Sequence, residues 1–495
     1  MVADLVTGTN ILERRHQILE ERRTDESRSL RIFSDWLRQH AILASLLILG
    51  CAVTPRLFLT ATTDLQDLLT RDSSTYLWPA LNLLSQGEFL NSHMKPEVDR
   101  TPGYPVFLAG IIALVGQNVG DEDVRMSLVA QGREDLREML IAQGGQGLRR
   151  IFMVQTAILS WSVVFVYWLA RRILPPVMAF TGALLAALSP WGAVFAGLCL
   201  TEGAYIFLLA GIFLCMKLAV EANRVSVAVW RSAGVGLLTA SAVLVRPLWP
   251  IILLVAAALV IQYGLNRKGV WLVLTVMIMT ATLPVGLWKA RNAQEAHFNG
   301  ISTNGPKTIW RCLAARVQGI VEERDAALIY TEHLRDESRW LLSIQEANDE
   351  RWRRSIALFR EHPILTVYSF IRSAGEHILH PMPYTSRAPA KLYFSGGHWI
   401  LHPLWGVYIL FWGGYLGLAC LGLWYAADHT RSKGAIDRDW LVVCFGISVL
   451  LVVVTGVSYG GGSRMRVSLE PIIPLLAGVG LIRVLQSVPG LRVGS

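Results

Sequence analysis

The residues able to do chemistry crowd into one polar stretch, Thr62 to Pro105, which reads TTDLQDLLTRDSSTYLWPALNLLSQGEFLNSHMKPEVDRTPGYP. It lies between apolar runs, so it belongs at a membrane surface. Asp72, His93, Lys95, Glu97, Asp99 and Arg100 stand in it beside aromatic residues. Carboxylates at a lipid–water boundary suit an enzyme acting on a lipid-linked polar substrate, because one of them can take a proton from an attacking hydroxyl. Asp72 opens DSSTY ahead of an apolar-periodic run. That placement fits the N-cap of a helix over 73–86, and it fits a general base or metal ligand equally well. Asp99 and Arg100 lead into Thr101-Pro102-Gly103-Tyr104-Pro105, where Pro fixes φ and Gly allows the bend. Such a turn re-enters the membrane with a charged group at its edge; interfacial anchoring by Arg100 and Tyr104 is the plainer reading. Glu202, in CLTEGAYIF, is an ionisable group near a membrane core, where such groups are rare and usually functional; with Thr201 it could also cap the next helix. His93 stands alone, open to solvent or to a metal.

The elements that must position these groups are membrane spans. The chain has 495 residues, 53% hydrophobic and 17% charged, against about a quarter charged in soluble domains. Apolar runs long enough to cross a bilayer as helices lie at 41–59, 151–170, 176–195, 203–220, 229–245, 248–264, 269–288, 403–426, 440–458 and 470–487. An all-α polytopic membrane protein follows. The net charge of +9 serves topology and lipid headgroups, not nucleic acid, because many Arg and Lys residues sit at span ends. Six cysteines without a C-x-x-C pair indicate neither a disulfide framework nor a thiolate metal site.

Residues 1–40 carry seven Arg and seven acidic residues without an apolar core, which reads as a cytoplasmic leader with a surface helix over Ile11 to Leu37. With the N-terminus inside, the connections at Arg171-Arg172, Glu221 to Arg224, Asn266 to Lys268 and His429 to Arg438 face the cytoplasm, and all carry Arg or Lys. Pro105 to Gly116 is too short to span and reads as re-entrant or interfacial. Three polar regions then face outward: 60–150, 290–402 and 459–469. Arg351 to His380 reads as one amphipathic helix on the membrane surface. The expected domains are the leader 1–40, a core 41–290 with its catalytic loop 60–150, a loop region 291–402, and C-terminal spans 403–495.

Arg246, Arg291, Arg464 and Arg466 all fall on the outward side, where the positive-inside rule does not explain them. Guanidinium groups suit bidentate phosphate binding; snorkelling to headgroups accounts for one or two of them. No H-E-x-x-H, Walker or dinucleotide-binding signature occurs.

The order of motifs resembles GT-C-fold glycosyltransferases, in particular bacterial homologues of protein O-mannosyltransferases and of the aminoarabinose transferases acting on lipid A. The similar segments are the Asp72–Tyr76 stretch, RTPGYPVFLAGI, RRIFMVQTAILSWSVVFVYWLARRIL, LSPWGAVFAGLCLTEGAYIFLL, LWKARNAQEAHFNGISTNGPKTIW and GSRMRVSLEPIIPLLAG. The resemblance implies a GT-C-like bundle of about ten or more spans, in a bacterial inner membrane, working at the extracytoplasmic face. It assigns Asp72 to deprotonating or orienting the acceptor, Asp99 to a second acidic position and Glu202 to an outward acidic position that helps some members hold a metal. A divalent ion on Asp72, Asp99 and Glu202 is thus the one cofactor it allows. It places Arg149 or Arg150, Arg246, Arg291, Lys307, Arg464 and Arg466 at the polyprenyl phosphate, and Tyr76, Arg100, Tyr104, His93 and Lys95 in the substrate pocket. Asp72-Ser73 replaces the adjacent Asp-Glu pair of the protein mannosyltransferases.

The expected reaction is an inverting transfer of a sugar from a polyprenyl-phosphate donor to a hydroxyl of a lipid, glycan or protein acceptor. Two other classes compete. A flippase for a lipid-linked sugar would use outward Arg residues too, but would show a repeat between halves. A non-catalytic scaffold of a polysaccharide assembly complex would not need three carboxylates on one face.

Overall fold

The computed structural model describes residues 31–70, 72–115, 135–338, 340, 342–379, 403–427, 436–455 and 467–487. Residues 1–30, the 118–134 part of the long connection, the basic loop 428–435 and the stretch holding Arg464 and Arg466 lie outside these residues; of the helix expected over Ile11 to Leu37, the part from 31 on is described and is helical.

Apolar runs become helices because a spanning segment must satisfy its own backbone. In chain order they are α1 (Ala41–Thr62), α2 (Ser73–Gln86), α3 (Gly103–Val115), α4 (Asp135–Ser160), α5 (Ser162–Ile173), α6 (Pro176–Ala187), α7 (Pro190–Gly197), α8 (Thr201–Val220), α9 (Val225–Val245), α10 (Pro250–Tyr263) and α11 (Val270–Ala296). A helical stretch from Asn304 to Val321, with a π-helical turn at Ile309–Ala314, leads to α12 (Ala326–Glu337), α13 (Ile344–Glu361), α14 (Pro363–Leu379), α15 (Pro403–Ala427), α16 (Arg438–Thr455) and α17 (Ile473–Ser487). Six helices of the described chain are long and apolar enough to cross a membrane, or seven if a bent pair counts as one. The chain is a multi-pass membrane protein.

Two expectations change. The run 176–195 is not one straight span. It breaks into α6 and α7, which meet at 47°, because Pro190 cannot continue a helix and Ser189 caps the new one by accepting from Gly192 N. Likewise Arg351 to His380 is two helices: Pro363 starts α14 afresh, and α13 begins earlier, at a Ser343–Glu346 capping box. The short run after Pro105 forms α3, thirteen residues long, too short for a bilayer core.

The helical bundle is tied together inside by polar side chains. Gln155, fully buried, donates to the carbonyls of Ala196 and Leu198 (2.9 and 2.8 Å) and accepts from Tyr104 Oη at 2.8 Å. It thereby serves the open carbonyls at the end of α7 and pins α3 to α4. Gly103 brings α3 against the end of α9 so closely that an added Cβ would lie 2.6 Å from the Leu244 carbonyl carbon; only glycine fits there.

Candidate functional site

Asp72 precedes α2 but makes no side-chain cap to it. Its Oδ1 instead accepts from Arg100 Nη2 at 3.0 Å. The same guanidinium donates through Nε to Thr75 Oγ1 at 3.0 Å and lies 4.9 Å over the Tyr76 ring. Thr75 Oγ1 in turn donates to the Asp72 carbonyl at 2.6 Å. One arginine therefore fixes the first turn of α2 through three neighbours. The Asp72 side chain retains 31% of its exposure, so solvent or substrate can reach it. Capping, an equal contender on sequence alone, is not what the side chain does.

Arg100 is aimed by the chain before it. Phe89 to Glu97 is a tight reversal: Glu97 N donates to Phe89 O at 3.0 Å and Asn91 N to Lys95 O at 2.8 Å. His93 and Lys95 sit exposed at its tip, where the His93 amide is held by Asn91 Oδ1 at 2.9 Å. Glu97, only 6% exposed, accepts the backbone amides of Asp99 (2.5 Å) and Arg100 (3.0 Å) on one oxygen. Burial, and after it the charge of Asp99, pushes the Glu97 carboxyl above its ordinary range.

Asp99 turns to the second polar loop. Its Oδ1 accepts from Lys307 Nζ at 2.5 Å and from Thr303 Oγ1. Ser302 Oγ donates to the Asp99 carbonyl at 2.5 Å, and Thr303 N to Val98 O at 3.1 Å. Burial alone would raise the Asp99 carboxyl; the Lys307 charge and hydrogen bond outweigh it and hold the group below the usual carboxylate range. Burial lowers Lys307 in turn.

Glu202, in the first turn of α8, is fully enclosed and pairs with Arg246 at 3.1 Å just past α9. Arg246 also lies 5.8 Å over the Tyr205 ring. Because α3 abuts Leu244 and Val245 through Gly103, this pair sits next to the turn that carries Asp99 and Arg100. Asp72 pairs with Arg100 while the neighbouring Asp99 turns to Lys307, and Glu202 forms a pair of its own with Arg246. Each of the three carboxylates faces a different cation, and among the described residues no group of three or more His, Cys, Asp or Glu is disposed to hold a metal ion.

The remaining cations divide. Arg291 engages protein groups with all three of its donor nitrogens: Glu295 through Nε at 2.6 Å, the Glu97 carbonyl through Nη1 at 2.8 Å and the Phe89 carbonyl through Nη2 at 2.7 Å. As folded it clamps the first loop to α11. Arg149 donates to the Thr60 and Ala61 carbonyls, closing the end of α1, while Arg150 is exposed. Arg464 and Arg466 lie outside the described residues. Tyr104 is fully buried and T-stacked on Tyr76 at 5.2 Å, so it does not anchor the chain at a lipid interface. Sequence reasoning named Glu97 among the polar residues of the first loop without giving it a role, and had no signal for Thr75 or Thr303, since their partners are set by loops that meet only in the fold.

No family profile and no curated protein matches the sequence. Among solved structures, the archaeal oligosaccharyltransferase AglB from Archaeoglobus fulgidus, in complex with an inhibitory peptide and a dolichol-phosphate, is similar at TM-score 0.52 and 12% identity. The match covers 91% of this chain and 51% of that one, so this chain spans about half its length. ArnT from Cupriavidus metallidurans bound to undecaprenyl phosphate gives TM-score 0.38 at 13% identity, over 90% of this chain and 78% of that one. At such identity the AglB likeness speaks for the fold. The architecture is the GT-C-like, all-helical membrane bundle that the motif order implied.

Proposed function

We propose that the chain is a GT-C-type glycosyltransferase that moves a sugar from a polyprenyl-phosphate donor to an acceptor hydroxyl at the extracytoplasmic face. The observation that carries this reading is the Asp72–Arg100 pair: a partly exposed carboxylate, released from capping and oriented by a guanidinium, at the edge of a polar loop. A base so placed accepts the acceptor's proton as the hydroxyl oxygen bonds to the anomeric carbon. The bond from that carbon to the phosphate oxygen breaks on the opposite face, so the anomeric centre inverts. The leaving phosphate takes the electron pair and needs cations. Lys307 and Arg246 are candidates once they exchange their present partners Asp99 and Glu202, and Arg464 and Arg466 are further candidates from the sequence. The relatives in fold support a lipid-linked donor, since AglB was solved with a dolichol-phosphate. Any divalent ion would have to draw on Asp72, Asp99 or Glu202 after they exchange their present partners, and no step here depends on one.

The test is purified protein in nanodiscs with a panel of polyprenyl-phosphate sugars and candidate lipid, glycan and peptide acceptors, read by mass spectrometry. Transfer that disappears in Asp72→Asn supports the reading. Movement of intact donor across the bilayer without any transfer would replace it with the flippase alternative.

A further inference from the structure

The Asp99–Arg100 dipeptide serves two loops at once. Asp99 reaches Lys307 and Thr303 in the second loop, while Arg100 reaches Asp72 and Thr75 at the start of α2. Two adjacent side chains hold such divergent partners only if the backbone between them cannot rotate. The bend has no regular backbone ladder to hold it: beyond the Leu90–Pro96 bridge the chain is irregular through Arg100. From within the bend it is held by the Glu97 side chain, with one oxygen accepting both amides at 2.5 and 3.0 Å, and from the second loop by Ser302 and Thr303, which donate to the Asp99 and Val98 carbonyls. Glu97 is itself anchored, its amide donating to Phe89 O at 3.0 Å and its carbonyl accepting from Arg291 at 2.8 Å. Its burial, at 6% exposure, keeps water from competing for the two amides.

We propose that Glu97 is a positioning residue for the transfer reaction: it locks the Asp99–Arg100 bend so that Arg100 presents Asp72 in its productive orientation. This rests on the reading of Asp72 as the base, and Glu97 touches no reacting atom. A misplacement of about 1 Å at the reacting centre costs about 10²-fold in rate, so a freed Arg100 should lower turnover far more than it alters donor binding.

The experiment uses the full chain in nanodiscs with three variants. Glu97→Gln keeps an acceptor oxygen, Glu97→Met keeps volume without an acceptor, and Glu97→Ala removes both. Hydrogen exchange at the Asp99 and Arg100 amides is measured beside kcat and KM for a polyprenyl-phosphate sugar. The expected result is at least a tenfold faster exchange at both amides in Met and Ala, kcat down about 10²-fold with KM within about twofold, and near wild-type values in Gln. Native protection in Met and Ala, unaltered kcat despite lost protection, or a Gln variant as impaired as Met would each overturn the proposal. So would unfolding of both Met and Ala while Gln folds, because the role would then be structural. If wild-type protein transfers nothing, the functional reading fails by itself, and the exchange arm still upholds or refutes the clamp.

Discussion

Arg100 reaches back 28 residues to Asp72, with Nη2 3.0 Å from Oδ1. The pair sits between the first turn of α2 and the turn into α3, so the orientation of a carboxylate on one helix depends on the turn that starts another. Substitutions at either end should therefore separate chemistry from folding.

Asp72→Asn should lower transfer by about 10²–10⁴-fold, the usual loss for one positioned base, with the thermal midpoint nearly unchanged. Asn keeps the shape and still accepts from Arg100, and no capping bond is lost because none is made. Turnover and thermal stability measured on the same preparation decide this; wild-type turnover would remove Asp72 from the mechanism.

The Glu202–Arg246 pair should behave otherwise. Glu202 is fully enclosed, so Arg246→Ala removes the cation that faces a buried carboxylate and should destabilise the protein by about 3–5 kcal/mol. Removing both charges, as Glu202→Gln with Arg246→Met, should recover much of that. Detergent-melting curves of the two variants check the prediction, and equal loss in both would mean that packing, not charge, dominates.

Lys307 ties the second loop to the first through Asp99. Lys307→Met keeps the stem and removes the charge. It should raise KM for the lipid-linked donor and speed proteolysis of the stretch between α11 and α12. Unchanged cleavage kinetics would show that the strap from Ser302 and Thr303 holds the loops without it.

Gly103→Ala should distort the approach of α3 to α9, since its Cβ would sit 2.6 Å from the carbonyl carbon of Leu244 and 2.7 Å from Val245 N. Overpacking of this kind typically costs about 1–3 kcal/mol. Gly110→Ala is the control on the same helix: nothing lies within 4 Å of its added Cβ, and replacing a helical Gly should be neutral or stabilising by up to about 1 kcal/mol. Paired melting curves test the contrast.

Acid should loosen the loop region. Asp99 is held below its ordinary range because Lys307 outweighs the burial that would raise it. Glu337, with a side chain only 4% exposed, is likewise lowered, as hydrogen bonds from Arg311 and Arg351 outweigh its burial. For a carboxylate lowered in the fold, the stabilisation is present above its unfolded value, about 3.9 for Asp and 4.3 for Glu, and is lost as pH falls through the folded one. Thermal midpoints should therefore drop below about pH 4, and the drop should be shallower in Glu337→Gln. An unchanged pH slope in that variant would refute the assignment.

Much of this protein was determined by the sequence alone, because its strongest signals are local. Apolar runs at 41–59 or 203–220 had to become helices, since a bilayer leaves a backbone no other partner. The polar stretch after the first run held Asp72, Asp99 and Arg100 close together in sequence, and Pro102 marked where a new helix starts. Even the break after Leu188 was written in Ser189-Pro190, although hydropathy averaged over the run concealed it. The tertiary structure decided which charge each group faces. Asp99 takes Lys307 from 208 residues away and Glu202 takes Arg246 from 44, choices that hydropathy and spacing do not encode. The work of Glu97 is of the same kind: Arg291 arrives from α11 to hold its carbonyl, and only a buried carboxyl can keep two amides for itself against water. Separation along the chain carries no information about such pairs, because packing selects them after the helices are in place.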